Sequence, residues 1–217
     1  MRELPETERG GLMPVFYRCI WIAAGLLGLF LLLWLGNRFS KRRGRKGERL
    51  VAAQLRRFAR KHGGRVCSNV YLPLYKDTCE IDHLLFGSFG VLVVETKHVG
   101  GEISGNGREL RQVMGTRTHR LYNPQLQNKT HVDNVRHHLR KAGMEGMPVQ
   151  GLVVFSNPRA VLHTDAGIPL SRLPEVLNRL PDSRQPWESA YAALRRVQVR
   201  NPLRQLWHDW KPHRNKQ

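Results

Sequence analysis

Two apolar runs joined by a short turn with glycine on both sides constrain the fold of this chain more than any other feature. The runs cover residues 81–86 and 91–94, and the turn is Gly87-Ser88-Phe89-Gly90. Apolar runs around such a turn predict a β-hairpin. With the loop centred between Ser88 and Phe89, Asp82 faces Glu95 across the hairpin, whereas a loop of odd length would shift the pairing by one residue.

Charged residues stand where this hairpin opens. Directly opposed side chains have Cβ atoms about 4.5–5.5 Å apart, and like charges there are destabilising, so Asp82 and Glu95 require a partner. Lys97 returns to the face of Glu95, because strand side chains repeat every second residue. Two acids and a lysine on otherwise apolar strands indicate a metal site. The alternative is a solvated rim of charges at the strand ends, with the Glu-x-Lys pattern arising by chance.

An uncharged segment near the N-terminus, residues 19–35, predicts a transmembrane helix. Extended back to residue 15, the run 15–35 would form a helix about 31 Å long at roughly 1.5 Å per residue, close to a bilayer core of about 30 Å, and the transmembrane helix is placed at 15–36. Residues 1–14 form a short tail before it. A cleaved signal peptide is the alternative, although no small-x-small cleavage site precedes the basic stretch.

The orientation follows from the charges that flank this helix. Six Lys or Arg residues lie in the linker 37–46, against three before the uncharged segment 19–35. Because a Lys/Arg excess marks the cytoplasmic side, we expect a single-pass membrane protein whose soluble domain is cytoplasmic. The same linker is suited to anionic lipid headgroups.

The composition adds one strong constraint, a net charge of +19 from 36 basic and 17 acidic residues. Residues 1–36 contain three of each sign, so the whole excess belongs to residues 37–217. A domain this basic attracts polyanions such as nucleic acid. The three cysteines lack C-x-x-C spacing, which disfavours a structural zinc site or a disulfide framework.

The remaining elements can be placed around the hairpin. A helix over 44–62 has one apolar face, and Glu48 lies on it. A buried carboxylate is costly unless it is paired or ligating, although an acid favoured by the helix dipole is the alternative. Strands over 65–72, 79–86 and 91–97 form an antiparallel meander. Residues 99–122 are expected to be a loop or small hairpin excursion.

A second helix is predicted from Asn123-Pro124 to about residue 142, because Asn caps helices and Pro suits their first position. Gln127 and His131 share one side of it. Residues 149–155 are apolar and predict a central strand. The final part, 161–217, is expected to be a basic helical extension.

Several of these motifs, in this order, resemble the nuclease-related (NERD) domain and, more broadly, the PD-(D/E)XK nuclease superfamily. The resemblance covers residues 44–160 and implies an α/β fold of α+β type, with a mixed sheet flanked by helices and a restriction-endonuclease-like core. One departure is Cys79, where a polar residue often stands. The matching pieces are Gly47-Glu48, Glu80-Ile81-Asp82-His83, Gly90-Val91, Val94-Glu95-Thr96-Lys97, Gly101-Glu102-Ile103-Ser104-Gly105 and Asn123-Pro124-Gln125-Leu126-Gln127-Asn128.

The resemblance also implies roles for individual residues. Asp82, Glu95 and the backbone carbonyl of Thr96 would ligate Mg²⁺ or Mn²⁺, and Lys97 would activate water or neutralise developing charge. Glu48 would hold a water or a second metal. Gln127 would orient the lysine or bind the scissile phosphate. The residues expected to contact nucleic acid are Arg108, Arg111, Arg117, Arg120 and His131.

Together these observations predict a membrane-anchored, metal-dependent nuclease that hydrolyses phosphodiester bonds of DNA, or of RNA, at the cytoplasmic face. A non-catalytic, membrane-tethered nucleic-acid-binding protein that retains the nuclease fold is the first alternative. A module that binds lipid surfaces or proteins is the second.

Overall fold

The computed structural model describes the backbone of residues 9–75 and 77–200, and the side chains of residues 20–29, 44–75 and 77–200. The chain divides into two units, residues 1–43 and residues 44–217. Helix α1 covers Arg9–His62, so the helix predicted over 44–62 is the last part of a longer one. The last part of the basic helical extension predicted over 161–217, residues 201–217, lies outside the described residues.

The predicted transmembrane helix is not confirmed. Within the described part of the chain, no helix is both long and apolar enough to cross a membrane.

Nine strands and three further helices are described in the second unit. In chain order the strands are β1 (Arg65–Leu74), β2 (Asp77–Gly87), β3 (Gly90–Lys97), β4 (Gly101–Ser104), β5 (Glu109–Met114), β6 (Arg117–Tyr122), β7 (Val149–Phe155), β8 (Ala160–His163) and β9 (Ile168–Pro169). The helices are α2 (Pro124–Lys141), α3 (Leu173–Asn178) and α4 (Trp187–Val197).

The larger sheet has the order β1-β2-β3-β7-β9. Strands β1 to β3 are antiparallel, while β7 runs parallel to β3 and β9 runs parallel to β7. This mixed sheet with flanking helices confirms the predicted α+β architecture. The hairpin register is also as predicted, since Phe86 pairs with Val91 and His83 with Val94.

Apolar side chains cover both faces of the larger sheet. On one face Val93 packs in a cluster with Val135 of α2 and Leu194 of α4. On the other face Leu85 packs with Val51 of α1 and Leu177 of α3, among others. The part of α1 from residue 44 to residue 62 and helix α2 therefore lie against opposite faces of the larger sheet.

The region 99–122 is more regular than a loop or a small hairpin. Strands β4, β5 and β6 form an antiparallel meander, and β8 joins it parallel to β4, giving a four-stranded sheet of order β6-β5-β4-β8. Its inner face buries Ile103 and Leu110 in a cluster with Phe155 of β7. Strand β8, which begins at residue 160, completes this sheet, and no local pattern in 99–122 predicts that pairing.

Candidate active site

The hairpin brings two carboxylates together at the point where the pairing between β2 and β3 ends. Asp82 and Glu95 are one step beyond the last paired residues, His83 and Val94. The Thr96 N–H donates a 2.7 Å hydrogen bond to Oδ2 of Asp82. Glu95 is buried, with 2% of its side chain exposed. The two acids predicted as metal ligands therefore lie at one place in the fold.

Lys97 completes this group. Its ammonium nitrogen donates to Oε1 of Glu95 at 2.6 Å and to Oε1 of Gln127 at 2.9 Å. Strand β3 supplies both charged partners two residues apart, and α2 supplies the amide. The structure thus brings together four of the five predicted catalytic residues, Asp82, Glu95, Lys97 and Gln127, through these contacts.

Glu48 of α1 is the fifth, and it belongs to the same acidic region. Burial, the neighbouring Glu80 and, to a smaller extent, Glu95 raise the pKa of Glu48. Glu80 is an acid for which sequence reasoning assigned no role, although its position two residues before Asp82 was visible. Glu48, Glu80, Asp82 and Glu95 therefore form one cluster of acids, which we call the acidic cluster.

The electrostatics of Asp82 reflect this cluster. Burial and the Glu95 carboxylate raise the pKa of Asp82 well above its usual range, although the hydrogen bond from Thr96 opposes the shift. Glu48 contributes in the same direction as Glu95. A site that disfavours its own negative charges is a site in which a bound cation removes an existing penalty.

His131 lies in this buried site and not on an exposed surface. Its Nδ1 is 3.5 Å from Oε2 of Glu95, and its side chain is 8% exposed. Burial lowers the pKa of His131, since the raising effect of Glu95 is the smaller influence. The structure thus places His131 beside Glu95, and its predicted contact with nucleic acid stays a prediction.

The donor set fits a hard divalent cation. Oε2 of Glu95 is buried and has no hydrogen-bond partner among the described residues, so this oxygen is free to ligate a cation. No group of three or more His, Cys, Asp or Glu side chains in ligating arrangement occurs among the described residues. Mg²⁺ is commonly held by one or two carboxylates and several waters. Asp82 and Glu95 can provide the two carboxylates.

Local structure explains why α2 presents Gln127 here. Oδ1 of Asn123 accepts the Gln125 N–H at 2.9 Å and caps the helix as predicted. Asn128 donates to the carbonyls of Val93 and Leu152 at 3.2 and 3.1 Å, which ties α2 to β3 and β7. These bonds hold the first turn of α2 over the end of β3.

Close packing does the same for Glu48. A β carbon on Gly47 would lie 2.7 Å from the β carbon of His98 and closer still to Oγ of Ser156. Glycine at this position lets α1 approach the ends of β3 and β7, and Glu48 is the next residue.

The four predicted phosphate-contacting arginines are separate from the acidic cluster. Arg111 lies on β5, Arg117 and Arg120 lie on β6, and Arg108 precedes β5; all four are exposed. Arg111 and Arg120 are direct partners in the ladder. Arg120 also forms an exposed 3.4 Å ion pair with Glu109. The second sheet therefore carries an exposed basic surface of its own.

Comparison with known proteins decides the family. The model of the nuclease-related domain (NERD) matches residues 43–156, which is more than half of the chain. The chain belongs to the nuclease-related domain family. The NERD match takes in Glu48, Asp82, Glu95, Lys97 and Gln127, and the family is generally associated with the PD-(D/E)XK nucleases.

The NERD protein also has a curated relative. An uncharacterized protein of Bacillus anthracis is 33% identical over 94 residues, which span 42% of this chain and 44% of the relative. No solved structure gives a significant match. The family membership indicates a nuclease-related function.

Proposed function

We propose that this NERD protein is a membrane-anchored, Mg²⁺- or Mn²⁺-dependent nuclease that hydrolyses phosphodiester bonds of DNA, with RNA as the alternative substrate. The observation that carries the proposal is the pairing of Asp82 and Glu95 with Lys97 and Gln127 at one end of the sheet. The family match to a nuclease-related domain supports the same reaction class.

Asp82 and Glu95 would hold the metal, with the Thr96 carbonyl and Glu48 as further oxygen donors. A bound divalent cation would supply Lewis-acid polarisation of the phosphodiester and would lower the pKa of a bound water. Hydrolysis adds the oxygen of water to phosphorus and breaks the bond from phosphorus to the leaving sugar oxygen, which leaves with a proton.

The chain's own residues orient and neutralise charge. The ammonium nitrogen of Lys97 donates hydrogen bonds to Glu95 at 2.6 Å and to Gln127 at 2.9 Å. These two bonds fix the ammonium group before the substrate binds. A fixed ammonium stabilises negative charge that grows on the phosphate oxygens without further reorganisation. Gln127 keeps the lysine from turning wholly toward Glu95.

A substrate panel with matched lysine variants tests this function. The chain is incubated with plasmid, linear duplex, single-stranded DNA and RNA in Mg²⁺, Mn²⁺ or EDTA. We expect metal-dependent cleavage, and a loss of about 10²–10³-fold in Lys97→Ala, a typical value for removing one charge-stabilising group. Lys129→Ala is the control. Lys129 lies on α2 close in sequence to Gln127, but its side chain is exposed and forms an ion pair with Asp133.

Two results count against the proposal. Absence of cleavage of every substrate in both metals contradicts the enzyme. If the parent protein cleaves nothing and Asp82→Ala binds nucleic acid as tightly as the parent, the results support a non-catalytic binding protein and not a nuclease.

The exposed arginines of the second sheet support nucleic acid as the partner. Arg111 and Arg120 are direct ladder partners on the exposed face, where like charges destabilise the pair. A backbone phosphate between them would relieve this repulsion. We expect Arg111→Ala to lower the slope of log affinity against log salt by about 1. Arg179→Ala is the control, since that exposed arginine follows α3 and pairs with Glu175.

Membrane anchoring at the cytoplasmic face is the third part of the proposal. The described side chains of residues 20–29 include several large apolar groups that are exposed, among them Trp21 at 74% and Leu27 at 68%. Exposed contiguous apolar surface marks a membrane or protein contact. Fractionation with carbonate and detergent, and protease protection of the domain in sealed vesicles, check the anchor and its orientation.

A further inference from the structure

One backbone conformation in the larger sheet is unusual. Asn69 lies inside β1 and has a φ of 53°. The left-handed region costs most side chains free energy, and asparagine is among the few that tolerate it. The other two non-glycine residues with positive φ in the described chain, Tyr75 and Arg184, lie outside strands. A left-handed residue within a strand therefore requires a structural reason.

The side chains of β1 and β2 switch from one face of the sheet to the other at this residue, so that the β1–β2 ladder turns over here. Cys67 and Val70 pack in the same apolar cluster, although they are three residues apart. Leu84 and Ile81, opposite them on β2, do the same. Residues three apart in a regular strand point to opposite faces. Both strands thus reverse their faces at one point while the register stays unchanged.

The reversal is centred on Asn69 and Asp82. Ser68 pairs with His83 and Val70 pairs with Ile81, so Asn69 and Asp82 are the opposed residues between these two pairs. Left-handed residues and local ladder distortions are known to re-aim side chains next to active sites. Asp82 is the residue that is re-aimed here.

The path of β2 changes at the same place. Its pairing with β3 stops at His83 and Val94, whereas its pairing with β1 continues to Asp77. At this divergence the Asp82 carboxylate, in place of a ladder carbonyl, accepts the Thr96 N–H at 2.7 Å. The position of the carboxylate therefore depends on where the two strands separate.

We propose that Asn69 is a positioning residue for the acidic cluster: its left-handed backbone turns the β1–β2 ladder over at Asp82 and fixes that carboxylate beside Glu95 and the Thr96 amide. This inference rests on the proposed function, because its main consequence is a change in divalent-ion binding.

Substitutions at Asn69 separate backbone conformation from side-chain contacts. The side chain is exposed, so replacing it removes little packing. Glycine adopts positive φ without steric penalty, whereas a β-branched residue such as valine strongly disfavours it. In a regular strand valine is the more stabilising of the two. We expect the reverse order at Asn69, with Asn69→Gly more stable to urea than Asn69→Val.

Mn²⁺ binding is the decisive measurement, made by titration calorimetry on the whole metal-free chain. Asn69→Gly keeps the Mn²⁺ affinity of the parent within about twofold. Asn69→Val relaxes toward ordinary strand geometry and lowers the Mn²⁺ affinity roughly tenfold. The free-energy cost of the left-handed conformation corresponds to about this factor in a binding constant. In cleavage assays the Mn²⁺ concentration for half-maximal rate rises in the same proportion.

Arg184, with a φ of 49°, is the matched control. Arg184→Gly and Arg184→Val follow the same order of stability but leave Mn²⁺ affinity unchanged, because Arg184 lies in a surface connection between α3 and α4.

The outcomes distinguish the two proposals. A parent protein that binds no Mn²⁺ and cleaves nothing overturns the proposed function and this inference together. A parent that binds Mn²⁺ while Asn69→Val binds as tightly as Asn69→Gly overturns only the role of Asn69. Equal losses of affinity in the Arg184 and Asn69 pairs also overturn it, since general destabilisation then explains both.

Discussion

His83 makes the stability of this protein depend on pH in a calculable way. The side chain is 1% exposed, and its Nδ1 is 2.9 Å from Oγ of Ser68. Burial and the nearby Arg56 lower the pKa of His83 from 6.5 to about 4. The folded protein therefore holds a neutral imidazole that the unfolded chain protonates more readily.

The sign and the size of the effect follow. A depressed pKa in the folded state contributes stability that is complete above pH 6.5 and is lost as the pH falls toward 4. A tenfold change in proton binding corresponds to about 1.36 kcal/mol, so the loss amounts to roughly 3 kcal/mol. That is a large part of the stability of an ordinary domain.

Urea unfolding of the metal-free chain between pH 7 and pH 4 measures this contribution. Other groups titrate in the same range, so the informative quantity is the difference between the parent and His83→Gln. We expect the parent to lose about 3 kcal/mol more than the variant. His119→Gln, which replaces an exposed histidine of β6, serves as the control. Equal losses in the parent and in His83→Gln would refute the reasoning.

Two further substitutions probe the acidic cluster and its packing. In EDTA at pH 7, Asp82→Asn should raise the free energy of unfolding by about 1 kcal/mol, because burial and Glu95 disfavour the carboxylate, while Mn²⁺ binding by calorimetry disappears; a less stable variant contradicts this. Gly47→Ala should cost about 1–3 kcal/mol in thermal unfolding, because the new β carbon lies 2.7 Å from that of His98. Gly107→Ala, which meets nothing within 4 Å, should change little.

Much of the central hairpin is predictable from local pattern. Two apolar runs and a glycine-flanked turn predict the hairpin and, with a loop of even length, its register, which the structure confirms through the pairing of Phe86 with Val91. The helix start at Asn123 is likewise a local signal, because the cap bonds a residue two positions away. The family resemblance is confirmed by the NERD match.

The second sheet was not predictable in the same way. Residues 99–122 contain glycines that favour loops, and β4 gains its parallel partner β8 from nearly sixty residues later. A strand whose partner is remote leaves little trace in its own sequence. The contact between His131 and Glu95 was not predictable for a related reason, because only the docking of α2 on β3 brings the two residues together.

The sequence by itself determined the features of short range, which are the hairpin, its register with a loop of even length, the cap of α2 and the order of the family's motifs. These features depend on apolar runs, on turn residues and on hydrogen bonds between near neighbours. Only the tertiary structure decided that Glu80 joins Glu48, that His131 is buried beside Glu95, and that the β1–β2 ladder turns over opposite Asp82. Those features arise where separate elements pack together, because desolvation and charge at a site depend on every element around it and not on one stretch of chain.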